Sequence, residues 1–289
     1  MYTLFFDTDC DITPKIANQY GAKLISMPYE IDGKEYHPYV SYEKYDAHEL
    51  NEKMRKGFLP STSALSPEDY KRYFEPEFKE GRDILYIHFS AVMSATFNSL
   101  RLAMEDLKEK YPERKLEMID TKGITLGSLS LCMSMGQLYK EGKSIEEIKK
   151  WANENVDKQA FYFFADNLKF FAKSGRVGGF AAFMGGIIGI KPIIYIGEDG
   201  KMTSIGKAKG RKNALQKILE YVIELEDHIK DYPVIIAHGD AMYLVDEFIP
   251  MLKKQFGDDL NVMVEDVNPT AVCHCGPDTL GITFHAKHR

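Results

Sequence analysis

Cysteine is scarce, with four in 289 residues, at positions 10, 132, 273 and 275. They make no disulfide framework, and a Cys-x-Cys pair is too tight for an ordinary bridge, so all four read as reduced thiols. The Cys273-His274-Cys275 run lacks the further ligands of a closed zinc site, and no metal is expected. Long apolar runs are lacking too. The opening MYTLFFDTDCDITP is interrupted by Asp7, Asp9 and Asp11 and has neither the basic nor the apolar region of a secretory signal. Residues 177–190, the longest weakly polar stretch, would span about 21 Å as a helix against a bilayer core of about 30 Å. No membrane span is expected, and the chain reads as cytoplasmic. Net positive charge is also missing: 37 Lys and Arg stand against 43 Asp and Glu, a formal −6 that argues against general nucleic-acid binding.

What is present is an ordinary globular composition, 44% hydrophobic and 28% charged, which excludes disorder as the default. The charge is unevenly placed. Residues 169–212 hold nine Lys or Arg and two acids, a local +7 that leaves −13 elsewhere. Such a patch is either a solvated basic face or a surface for an anionic ligand or an acidic partner.

Hydrophobic patterning predicts alternating strands and helices to about residue 155. Residues 3–6 form a strand, a helix starts at Thr13-Pro14 and stops at Gly21, and residues 23–30 form a second strand. A hairpin turns at Asp32-Gly33 and a charged helix covers 46–56. The loop LPSTSALSP follows, its Ser66 capping the next helix. Strands over 83–88 and 115–119 alternate with helices ending near Lys110 and Tyr139, and Ser144 and Glu147 make a capping box. This is the pattern of a doubly wound parallel sheet. The second half differs. A strand over 160–165 is followed by a short helix, a glycine-rich run, two strands about Asp199-Gly200, and then two further helices among three strands. That mixture predicts an α+β domain on a mixed sheet, with domains over 1–157 and 158–289.

Several chemistries are poorly supported. GGIIGIKP fails the P-loop pattern, because Gly189 and Lys191 are separated and no Ser or Thr follows, and no dinucleotide fingerprint follows the first strand. No cofactor is expected. FSAVMS lies where a nucleophile elbow would, without its flanking glycines. His88 and His238 end strands and read as satisfied core or rim groups. What recurs is hydroxyls in loops at the carboxyl ends of strands, where open α/β sheets bind ligands: Ser90, Ser94, Thr121 and Thr125, with Thr62 and Ser63 before a helix. Such donors hold an anionic head without burying a counter-charge, although turns and caps would also use them.

Seven segments, in order along nearly the whole chain, resemble the DegV family: LPSTSALSP, HFSAVMSATFNSLRLA, MIDTKGITLG, FFAKSGRVGG, IGIKPIIYIGEDGKMTSIGKAKGRKNAL, AHGD and CHCGPDTLGI. The resemblance implies a two-domain, non-catalytic bacterial protein that binds a long-chain fatty acid, of the C14 to C18 class, between its domains. Thr62 and Ser94 would hold the carboxylate, with Ser63 nearby and Arg176 and His274 at the head-group end, and apolar residues of the 160s to 190s would line the tail. Some members present the acid to a separate kinase catalytic subunit. Lys207, Lys209 and Arg211 lie in the segment associated with that partner. Transient contact with an anionic membrane surface fits the basic patch. This chain departs from the family pattern at Ala64, Ala95, Lys209 and Asp278. The alternative is a Ser/His-dependent acyl hydrolase or transferase at the same site, with Ser94 or Thr62 as nucleophile and His274 as base.

Overall fold

The computed structural model describes residues 1–178 and 189–289. Most of the glycine-rich run, with part of the expected tail lining, lies outside them. β1 (Tyr2–Asp7) is buried along nearly its whole length, as a strand covered on both faces must be. α1 (Pro14–Tyr20) begins where the Thr13 side chain accepts from the Ile16 amide and ends at Gly21, whose φ of 69° suits a residue without Cβ. The single strand expected over 23–30 is two pieces. β2 (Lys23–Ile25) pairs parallel with β1, whereas β3 (Tyr29–Ile31) forms a hairpin with β4 (Lys34–Tyr36) in another sheet. Pro28 stands at the break, where it can donate no ladder hydrogen bond.

α2 (Ala47–Arg55), capped by Asp46, leads into the loop singled out in the sequence. Part of that loop is a strand: β5 (Ser61–Thr62) pairs antiparallel with β3, setting Thr62 opposite Tyr29. α3 (Pro67–Lys79) then starts from a capping box between Ser66 and Asp69. β6 (Asp83–His88), α4 (Thr96–Lys110), β7 (Leu116–Asp120), α5 (Leu126–Lys140) and α6 (Ile145–Asn155) complete the N-terminal part. Its sheet is parallel, in the order β2-β1-β6-β7.

The C-terminal part comprises β8 (Gln159–Phe164), α7 (Lys169–Ser174), β9 (Val177–Gly178), β10 (Ile190–Ile196), β11 (Met202–Lys209), α8 (Arg211–Leu225), β12 (Val234–His238), α9 (Met242–Phe256), β13 (Val262–Asp266), α10 (Pro269–Cys275) and β14 (Leu280–His285). The sheet is mixed, ordered β13-β12-β14-β8-β10-β11-β9, with parallel pairs only at β12/β13 and β11/β9 among the described strands. α10 is a helix the sequence reading passed over, although Asn268 caps it and Pro269 opens it.

β8 shows how the layers join. Its side chains alternate faces. Ala160, Tyr162 and Phe164 pack in a core beneath α8 and α9. Phe161 and Phe163 join Leu126, Leu129, Phe171 and the residues of β1 and β6 in one continuous core, so the two sheets share an interior. At the rim, Arg55 of α2 reaches the side chain and carbonyl of Asp240 and, at 3.1 Å, Asp278. Asp278, one of the departures noted above, takes a left-handed φ of 59° and contributes a carboxylate that also accepts from Tyr243.

Candidate functional site

All five head-group residues proposed from the sequence, Thr62, Ser63, Ser94, Arg176 and His274, line one cavity of about 40 Å³. β5 supplies Thr62, the segment before α4 supplies Ser94, the stretch after α7 supplies Arg176, and α10 supplies His274. The Thr62 hydroxyl and His274 Nε2 lie 3.1 Å apart, joining two residues separated by more than two hundred positions. Burial pushes His274 down to about 4, helped by the positive charges of Arg176 and Lys173. The ring is therefore neutral at physiological pH.

The other members are engaged differently. Ser94 Oγ accepts from the Thr96 amide, the Ser63 hydroxyl donates to Glu35, and the Arg176 guanidinium donates to the Ser174 carbonyl. Of the other hydroxyls, Ser90 donates to the Gly200 carbonyl and Thr121 to the His88 carbonyl, so both tie loops together. Thr125 behaves otherwise. Its backbone sits at φ 53°, unusual for a β-branched residue, and its buried hydroxyl has no partner among the described residues.

Thr125 belongs to a second cavity of about 40 Å³, walled by Leu126, Phe161, Phe163, Phe171, Val267 and Gly281 among others. The two cavities share Ile124, Met202, Ala271 and His274 as lining. A polar mouth thus backs directly onto an apolar chamber. A Cβ at Gly281 would come within 2.8 Å of the Phe161 ring and 3.0 Å of Phe163 Cβ. Gly281→Val should accordingly cost about 1–3 kcal/mol by overpacking, read as a shifted urea midpoint at unchanged slope.

The sequence reading missed a hydrogen-bonded pair in the mouth. Asp9 and Thr270 line it, and the Thr270 hydroxyl donates to Asp9 Oδ1. The available signal was the Asp7, Asp9, Asp11 alternation at the carboxyl end of β1, a ligand-binding position in open α/β sheets. The basic patch is smaller than its count suggests. Arg211 makes a two-pronged pair with Asp166 at 2.8 and 3.1 Å, Lys191 pairs with Asp166 at 2.6 Å, and Lys173 donates to the carbonyls of Leu59 and Pro60. Lys207 and Lys209 stay exposed on β11. Cys273 and Cys275 are buried on α10, with burial raising both thiols. Among the described residues the one group with metal-ligand spacing is His48, Glu52 and Asp240, and Arg55 already occupies the Asp240 carboxylate. No described helix is long and apolar enough to cross a membrane.

Fold and site together define an α/β protein in which a parallel sheet and a mixed sheet enclose a hydroxyl-lined mouth with an apolar chamber behind it. The model of the DegV family, described as "Uncharacterised protein, DegV family", matches residues 2–287. A DegV domain-containing protein of Clostridium perfringens is 31% identical over 286 residues, covering 98% of this chain and 97% of that one. The chain belongs to the DegV family. Solved structures share the fold. A DegV family protein from Thermus thermophilus, described for its fatty acid binding, superposes with a TM-score of 0.85 at 24% identity, covering 99% of each chain. A stearic acid-binding protein from Eubacterium ventriosum gives 0.82 at 21% identity over 99% of each chain. DegV from Bacillus subtilis, described as a fatty acid binding protein, gives 0.81 at 21% over 99% of each.

Proposed function

We propose that this protein binds a long-chain fatty acid, of C14 to C18, with its carboxylate in the mouth lined by Thr62, Ser63, Ser94, Arg176 and His274 and its tail in the adjoining chamber. The observation that carries the reading is the continuity of the two cavities: polar side chains at one end, phenylalanines at the other. Related structures are described as fatty-acid-binding, which supports the ligand class. Burying a tail gains about 0.8 kcal/mol per methylene, so sixteen carbons supply roughly 10 kcal/mol before ordering costs. Ligand pockets commonly run to about 300–1,000 Å³. Two cavities of about 40 Å³ therefore need their flexible lining, Met202 and the phenylalanines, to swing aside as the tail enters.

The head-group chemistry favours binding over turnover. A hydrolase needs a base near neutral pKa, whereas His274 lies near 4, and no carboxylate reaches its ring among the described residues. Ser94 makes no hydrogen bond to a histidine there either. In our reading residues 1–157 and 158–289 are two domains with the ligand between them, and the protein works in the cytoplasm as a non-catalytic carrier. It presents the carboxylate to a partner kinase or sequesters the acid. Lys207 and Lys209 are exposed cations of the partner-facing segment, while Arg211, exposed but held by Asp166, shapes that surface more than it supplies free charge. Lys207 and Lys209 also suit transient contact with an anionic membrane surface. Native mass spectrometry tests the reading: an adduct matching a C14 to C18 acid, restored by added oleate after delipidation, is expected. Protein that ignores oleate refutes it.

A further inference from the structure

Asp9 is a carboxylic acid in the wall of a cavity that we assign to another carboxylate. Two carboxylates so close would repel, and a single proton shared between them would bind. Asp9 sits in the turn after β1, 8% exposed, with its carbonyl accepting from the Thr125 amide at 2.7 Å and the Asn268 side chain at 3.3 Å. Those bonds fix the backbone to α5 and α10. Thr270 takes Oδ1, and Oδ2 has no hydrogen-bond partner among the described residues. Resting on the fatty-acid reading, we propose that Asp9 is a head-group residue that holds the ligand carboxylate through a proton carried on its own carboxyl, making the site selective for a free acid over a headless or alcohol-headed chain only while that proton is present.

The surroundings favour the protonated form. Burial raises the Asp9 carboxyl to about 8, the negative charge of Asp7 adds to the rise, and the Thr270 hydrogen bond opposes it. The titratable or charged groups around it are Asp7 and Asp11 on its own segment, Tyr70 on α3, Cys273 and His274 on α10, and Arg176 before β9. Most keep one charge state between pH 7 and 9: burial raises Tyr70 and Cys273 far above their usual values, His274 lies near 4, and Asp7, near 6, is already ionised. Arg176, the permanent cation of the mouth, is exposed and turned to its own chain. The remaining neighbour, Asp11, is pushed up by burial with Asn268 as its donor, and it does not line the mouth.

The test is calorimetric titration of the full chain with tetradecanoic acid and with tetradecanol at low micromolar concentration, from pH 7 to 10. Acid affinity should be level at low pH and fall about tenfold per pH unit above 8, while alcohol affinity stays level, because ionised Asp9 still accepts from a hydroxyl. Asp9→Asn, which keeps a donor, should flatten the acid profile and retain binding at pH 9. Intact acid binding with a level profile in the native protein overturns the role of Asp9 and leaves the fatty-acid reading standing. Absence of acid binding at every pH overturns both. A native profile that falls equally for acid and alcohol assigns the change to the fold and also overturns the inference, with no variant needed.

Discussion

Thr62→Ala combined with Ser94→Ala should weaken fatty-acid binding by about 2–5 kcal/mol, roughly thirty-fold to several-thousand-fold in Kd. Each change removes one hydroxyl from the mouth, and a buried carboxylate left short of donors carries its desolvation cost unrelieved. Stability should change less. Thr62 keeps its backbone pairing in β5 and loses its contact with His274, and Ser94 loses its hydrogen bond to the Thr96 amide, each worth about 1 kcal/mol. Calorimetric titration with oleate at pH 7, beside a urea melt of each variant, separates the two effects. An isotherm unchanged by the pair would place the head group elsewhere.

Glu77→Gln should cost about 1–3 kcal/mol of folding stability, since Lys23 and Arg82 remain partly in water once the carboxylate is gone. Glu77 lies in α3 with its side chain 1% exposed, yet it accepts from Thr3 at 2.6 Å, Arg82 at 2.7 Å and Lys23. Burial alone would raise its carboxyl, but the hydrogen bonds from Arg82, Lys23 and Thr3 and the charge of Lys23 win and hold it near 2. An unfolded glutamate titrates near 4.3. The carboxylate is thus more easily kept ionised in the folded chain, and its contribution is complete above about pH 4.3 and disappears as pH falls toward 2. A glutamine leaves Lys23 and Arg82 facing a neutral amide. Urea midpoints from pH 7 to 3 should show the native protein weakening on the acid side and the variant starting lower with a flatter course. Asp9 acts in the opposite sense. Its folded value near 8 exceeds an unfolded aspartate near 3.9, so its contribution is complete below 3.9 and is lost as pH rises through 8.

Elements whose signals are local were readable from the chain. Thr13-Pro14, Ser66-Pro67 and the Ser144/Glu147 box each open a helix as expected, since capping depends on residues three positions apart. β5 was not readable, because two residues become a strand only when β3 lies beside them. The apparent strand over 23–30 failed for a related reason: its apolar pattern continues through Pro28, but the pairing partner changes there. At the site, the hydroxyls were candidates from their loops at strand ends, but the choice of Thr62 and Ser94 among them, with His274, came from a whole-chain resemblance, and spacing alone would not have joined Thr62 to a residue on α10. Asp9 was in plain view yet served only to break an apolar run. A carboxyl announces a ligand site only once burial and a neighbouring cavity are known. The basic patch erred in the other direction, since a count starting at Lys169 leaves out Asp166, the acid that occupies Lys191 and Arg211.

The shared interior has a kinetic consequence. Phe161 and Phe163 belong to the same packed cluster as β1, β6 and α5, so parting the sheets like a clamshell would put that whole surface in water, at about 25 cal/mol for each Å² of apolar area. Rotating a few side chains around Met202 and His274 exposes far less. On the fatty-acid reading, exchange of a bound acid would proceed through a narrow, transient aperture whose opening frequency sets both capture and escape. A lipid acquired during synthesis in the cell would leave only at rare openings of that aperture, slowly enough to survive dilution and accompany the protein through purification.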